Sequence, residues 1–190
     1  MTTPDPAYRP IFTIGHSTRP LEEFIELLRE HGVTLVADVR TVPRSRYNPQ
    51  YNRDTLPASL APAGIGYRHL PALGGLRHTT AGSVNMGWRN KSFRGYADYM
   101  QTPAFDDGLA QLLDLARHDT IAMMCAEAVP WRCHRSLIAD ALAARGIGAE
   151  DIIGPGHTQP HHMTPFAHVD GLRVTYPAEP ATAAPEDNPS

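Results

Sequence analysis

Six side chains crowded between positions 125 and 135 could do chemistry: Cys125, Glu127, Arg132, Cys133, His134 and Arg135. They comprise two thiols, a carboxylate for proton exchange, an imidazole and two guanidinium groups suited to pairing with an anion. Cys125 is a candidate nucleophile, with a buried structural thiol as the alternative reading. The arginines flank what reads as a helix start at Cys133-His134-Arg135, where free backbone N–H groups and the positive dipole end favour phosphate, sulfate or carboxylate. A cysteine followed by an arginine also describes phosphatase and rhodanese loops, but the step of seven from Cys125 to Arg132, across AEAVPW, departs from their pattern. Metal binding competes for the same residues, yet neither CxxC nor HExxH occurs and the cysteines stand eight apart.

The elements that must position this loop can be read outward from it. Ile121 to Met124 is a short continuous apolar run, as in a buried strand, and Leu137, Ile138, Ala141 and Leu142 fall at helical spacing up to a stop at Gly146. Near the N-terminus, Ile11 to Ile14 reads as a strand ending at Gly15-His16-Ser17. A helix follows with Leu21, Phe24, Ile25 and Leu28 on one face, Ser17 or Thr18 as its N-cap, and Gly32 at its end. Thr34 to Val39 is the next strand, so the three elements form a βαβ unit with parallel strands. Tyr67 to Leu70 gives a third strand, residues 93–100 and 102–113 give helices, and Ile152-Ile153 a brief last strand. The stretch from Gly74 to Ser92 has no period and reads as a lid or as disorder. Residues 1–10 read as a loose lead-in and 177–190 as a disordered tail. The expected fold is therefore α/β, a single domain over residues 11–176 with a mainly parallel sheet and helices on both faces.

In such a sheet the carboxyl ends of the strands share one edge, where ligands bind. That rule gathers His16 and Ser17, Asp38 and Arg40, His69, and Cys125 and Glu127. In the expected site Glu127 or Asp38 exchanges protons and His16 and His69 assist. Arg40, Arg46, Arg132 and Arg135 hold an anion, with Ser17 and His134 beside them. Taken singly, His69 reads as a hydrogen-bonded core histidine and Asp38 as a partner for Arg40.

Composition narrows the partners. The 190 residues carry a net charge of −3, with 42% apolar and 19% charged residues, ordinary for one globular domain. The charge is uneven: between Arg40 and Arg94 nine basic residues face the single acid Asp54, a local +8 that leaves −11 for the remainder. Local positive charge in an acidic chain suits a small anionic ligand better than wholesale coating of nucleic acid. No apolar run approaches a membrane span, and MTTPDPAYRP lacks the features of a signal peptide, so a cytoplasmic location and two free thiols are expected.

Several motifs in one order are familiar: Thr13-Ile14-Gly15-His16-Ser17; Asp38-Val39-Arg40 with Pro43 and Ser45-Arg46; Tyr67 through Gly75; Phe93 through Ala97; Met124 through Arg135; and Pro165 through Ala167. The chain resembles, over about residues 11 to 176, the bacterial domain-of-unknown-function family numbered 488. The resemblance implies an α/β fold and brings no established reaction, cofactor or metal. The functional expectation is an enzyme acting on a small anionic ligand, phosphate-bearing and in the nucleotide class or a nucleic-acid end. One alternative is a non-catalytic nucleic-acid-binding module using the arginines of 40–94 with Tyr47, Tyr51 and Trp88 for stacking. The other is a metal-binding protein using the Cys/His loop.

Overall fold

The computed structural model describes residues 7–179. The expected lead-in over 1–6 and the tail from 180 onward lie outside the described residues. Among the described residues eight strands and five α-helices follow one another. Strand β1 (Ile11–Gly15) leads through α1 (Leu21–Glu30) to β2 (Leu35–Asp38), and α2 (Leu56–Leu60) then precedes β3 (Gly66–His69). Helices α3 (Lys91–Tyr99) and α4 (Pro103–Ala116) come next, followed by β4 (Ile121–Cys125), α5 (Arg135–Ala144), β5 (Ala149–Gly154), β6 (His157–Pro160), β7 (His168–Asp170) and β8 (Arg173–Thr175).

The first six strands form one sheet in the order β3-β2-β4-β1-β5-β6. Every neighbouring pair is parallel except β5 with β6. Alternation along the strands divides the core into two clusters. Phe12, Ile14, Val36, Ala122 and Met124 pack with Phe24, Leu27 and Leu28 of α1 and Leu56 and Leu60 of α2. Ile11, Leu35, Ala37, Ile121 and Met123 pack on the opposite face with α3, α4 and α5. Both faces of a parallel sheet are thus covered, as its two-sided apolar strands require. Among the described residues no helix is long and apolar enough to cross a membrane.

Helix α1 leaves β1 on one face and α5 leaves β4 on the other, although β1 and β4 are neighbours. The same holds for β2, whose α2 lies with α1. The carboxyl end of β4 therefore lies between two strands whose connections turn away from it, the topological switch point where such sheets open a crevice.

Three expectations need adjustment. The last parallel strand is longer than Ile152-Ile153, because Ala149 to Ile152 pair along β1. Helix α1 has Pro20 at its N-cap position, with no side-chain cap; neither Ser17 nor Thr18 serves. Residues 74–90 form no regular helix or strand beyond isolated turns, yet they are tied down by one carboxylate: Asp98 accepts from Thr80 N (2.9 Å), Asn85 Nδ2 (2.8 Å) and Ser83 Oγ (2.5 Å). The residues near 168–175 form the small antiparallel hairpin β7-β8.

Candidate functional site

The backbone builds the site first. Past the ends of β1 and β4 the ladder continues, His16 N donating to Cys125 O and Ser17 N to Ala126 O, each at 2.9 Å. This brings the 126–128 turn across Gly15 so closely that a Cβ there would stand 1.9 Å from Glu127 O. Only glycine fits that approach. Ser17 then turns the chain away at φ 47°, the one non-glycine residue with positive φ among those described. Between these segments opens a cleft of about 680 Å³. Of the residues expected at the site, His16, Ser17, Arg40, Cys125, Glu127, Arg132 and His134 line it. Leu76 and Phe93, from the long loop and α3, line it as well.

One wall is a buried polar network. Arg40 grips Asp38 at two points, Nε to Oδ1 at 2.9 Å and Nη2 to Oδ2 at 2.7 Å, and also donates from Nη2 to Tyr51 O at 2.7 Å. Tyr67 donates its hydroxyl to Asp38 Oδ2. The remaining guanidinium nitrogen, Nη1, lies 3.3 Å from His16 Nε2, while His16 Nδ1 lies 2.8 Å from Ser17 O. A guanidinium can only donate, so Nε2 accepts, the proton sits on Nδ1, and the ring is neutral. Burial, reinforced by the Arg40 charge, lowers the His16 pKa to about 4, against the opposing effects of the Ser17 carbonyl and Asp38. Asp38 has no exposed surface, so its carboxylate is committed to Arg40 and Tyr67 rather than offered to a ligand. His69 does not line the cleft; its Nε2 donates to Arg40 O at 2.8 Å and fixes that backbone.

The floor holds the two thiols, both free. Arg135, expected to hold the anion, is fully buried beneath them. Its Nε donates to Thr13 Oγ1 at 3.1 Å, Nη1 to Cys125 Sγ at 2.6 Å, and Nη2 to Ala128 O at 3.1 Å. It stitches α5 to the 125–128 turn and does not line the cleft. Cys125 hydrogen-bonds to Cys133, and burial together with that donated bond keeps it a thiol, its pKa well above the usual range. For Cys133 burial also opposes ionisation, but the Cys125 hydrogen bond, the Arg135 charge and the Arg135 N–H, 3.5 Å away, outweigh it and bring the pKa to about 7. His134 donates from Nε2 to Val39 O at 2.7 Å, which leaves Nδ1 as a lone pair 3.6 Å from Cys133 Sγ. Burial lowers its pKa as well.

Facing this floor are the uncommitted groups. The side chains of Arg44 and Arg132 line the cleft and make no hydrogen bond or ion pair among the described residues. Glu127 is exposed, its Oε1 accepting only from Val129 N at 3.2 Å. Arg46 is exposed but outside the cleft lining. Arg46 is the expected anion ligand, but its neighbour Arg44 is the residue that lines the cleft; alternation in an irregular loop carries no signal for that difference. The sequence pattern gives Cys133 a free thiol and a place in the metal alternative but no catalytic role, although its position just ahead of α5 is the signal for an acidic thiol. No group of three or more His, Cys, Asp or Glu among the described residues could hold a metal ion.

Comparison with curated proteins and with solved structures gives no match. The sequence pattern described as Domain of unknown function DUF488 matches residues 20–142, which include β2, β4, Arg40, Arg44 and the whole 125–135 turn. With that match covering most of the chain, the protein belongs to the DUF488 family.

Proposed function

We propose that the cleft binds a small phosphate-bearing anion, in the nucleotide class, and that the protein is an enzyme acting on it. One observation carries this reading: Arg44 and Arg132 bring to a single cleft two guanidinium groups without partners among the described residues. The cation beside them, Arg40, is neutralised by Asp38. Free guanidinium groups pair with phosphate oxygens at two points and set orientation as well as affinity. Val42 and Leu76, 60% and 73% exposed at the same cleft, offer apolar surface to the organic part of the ligand. Glu127, exposed and barely engaged, is the group free to exchange a proton, while neutral His16 offers no charge of its own.

The polynucleotide-binding alternative is weaker on the same grounds. Of its three stacking residues, Tyr51 has no exposed surface, and Trp88 is stacked on Phe93 at 4.8 Å, which leaves Tyr47 at 90% exposure. Calorimetric titration with inorganic phosphate and a mononucleotide decides between the two. Saturable binding is expected, weakened roughly tenfold or more by Arg132→Gln or Arg44→Gln. Tight polynucleotide binding that collapses with salt, beside no mononucleotide binding, would reverse the conclusion.

A further inference from the structure

The buried charge of Arg135 is the point of departure. Its guanidinium is fully enclosed, yet among the described residues no carboxylate pairs with it directly: its side-chain partners are a hydroxyl, a thiol sulfur and two carbonyl oxygens. Asp151 is reached only through Thr13, whose hydroxyl donates to that carboxylate. An enclosed cation calls for a nearby anion, and the sulfurs of Cys125 and Cys133 are the groups best placed to supply one. The two thiols are also unequal. Both line the cleft, but Cys133 has the α5 backbone N–H of Arg135 and the His134 Nδ1 lone pair at its sulfur, whereas Cys125 has the guanidinium of Arg135 at 2.6 Å. One sulfur is set up to attack and the other to be held as a thiol until a negative charge on it can be stabilised.

We infer that Cys133 and Cys125 form a catalytic dithiol, with Cys133 the nucleophile and Cys125 the resolving thiol, in exchange with a small anionic disulfide drawn in by Arg132 and Arg44. The choice of an anionic substrate rests on the anion-binding reading of the cleft. In the first step the Cys133 thiolate attacks one sulfur of R–S–S–R. A mixed disulfide forms and one RS⁻ leaves to take a proton from solvent. In the second step Cys125, which lines the cleft, loses its proton to solvent, its thiolate steadied by Arg135, and attacks Cys133 Sγ. The intramolecular disulfide forms and the second RS⁻ leaves, taking a proton from solvent. In sum, two protein thiols are oxidised and one disulfide is reduced to two thiols. The acidity of Cys133 supports the assignment, since a thiol with a pKa near ambient pH is the best attacking group.

The full chain, reduced and then freed of reductant, is mixed with either of two small probes, dianionic dithiodipropionate or dicationic cystamine. Free thiols and intact mass are followed. The expected result is loss of both thiols with a mass lower by two hydrogens, about tenfold faster with dithiodipropionate at low ionic strength, the advantage falling with added inorganic phosphate. Peptide mapping at early times should find the mixed disulfide on Cys133, and Cys125→Ser should accumulate it there. Two thiols surviving excess of both probes, or a first adduct on Cys125, overturns the dithiol assignment whatever phosphate binding shows. Oxidation at equal rates by the two probes overturns the anionic substrate class and counts against the anion cleft, leaving the thiol pair in place.

Discussion

Asp38 and Arg40, two residues apart at the end of β2, hold each other by two parallel hydrogen bonds of 2.9 and 2.7 Å in the protein interior. Each is thereby unavailable for chemistry of its own, and together they make a rigid wall against which His16 is fixed. Replacing the carboxylate alone leaves the guanidinium buried without its partner. Asp38→Asn is expected to lower the unfolding free energy by about 3–5 kcal/mol, measured by urea denaturation. A loss below about 1 kcal/mol, the range of an exposed pair, would mean that the pair is not structural.

His16 should remain neutral, with its proton on Nδ1, down to pH about 4. Arg40, Asp38 and the stacked Tyr51 ring surround it. Since the folded pKa lies below the unfolded value of about 6.5, the unfolded chain binds the proton first. Stability from this group is full above pH about 6.5 and falls as pH drops toward about 4. Ring-nitrogen NMR reports the tautomer directly, and His16→Gln should flatten the stability profile within that window. A ring that titrates near its ordinary value would refute the assignment.

Cys133 should be the thiol that reacts at neutral pH. Its rate of alkylation by iodoacetamide is expected to inflect at pH about 7, with Cys125 silent until far higher pH. Cys125→Ala removes the thiol that donates to Cys133 and should move the inflection upward. An unchanged profile in that variant would separate the two sulfurs functionally.

The Glu127 side chain touches the protein through one backbone N–H, that of Val129. Glu127→Gln should therefore change stability by no more than about 0.5 kcal/mol, while abolishing turnover of a phosphate-ester substrate. A folded, fully active Glu127→Gln protein would remove it from the catalytic set.

Much of this arrangement was legible in the sequence because topology does the gathering. The apolar runs of β1, β2 and β4 and the helical spacing of α1 are enough to demand parallel strands, and parallel strands deliver His16, Arg40 and Glu127 to one edge. The polar commitments were not legible. Arg132 and Arg135 look alike as letters, but Arg132 closes the short turn Pro130–Arg132 and lines the cleft, whereas Arg135 opens α5 and is fully buried beneath the thiols. His69 sits at a strand end like His16, yet β3 is the outermost strand and its end lies away from the switch point. Arg44 and Arg46 differ only through the path of a loop shaped by Asn52 and Ser45, whose contacts (Ser45 N to Asn52 Oδ1, 2.6 Å) leave no periodic trace.

Burial of Arg135 beneath the thiols has a consequence for motion. Releasing the 125–128 turn would strip hydrogen bonds from an enclosed cation, so the floor of the cleft has no inexpensive local opening. Amide hydrogens there and in the first turns of α5 should exchange with solvent only on the rare occasions when the whole domain unfolds. Access of a ligand would then depend on the surrounding arginine-rich and glycine-rich segments, while the sulfur-bearing base stays still.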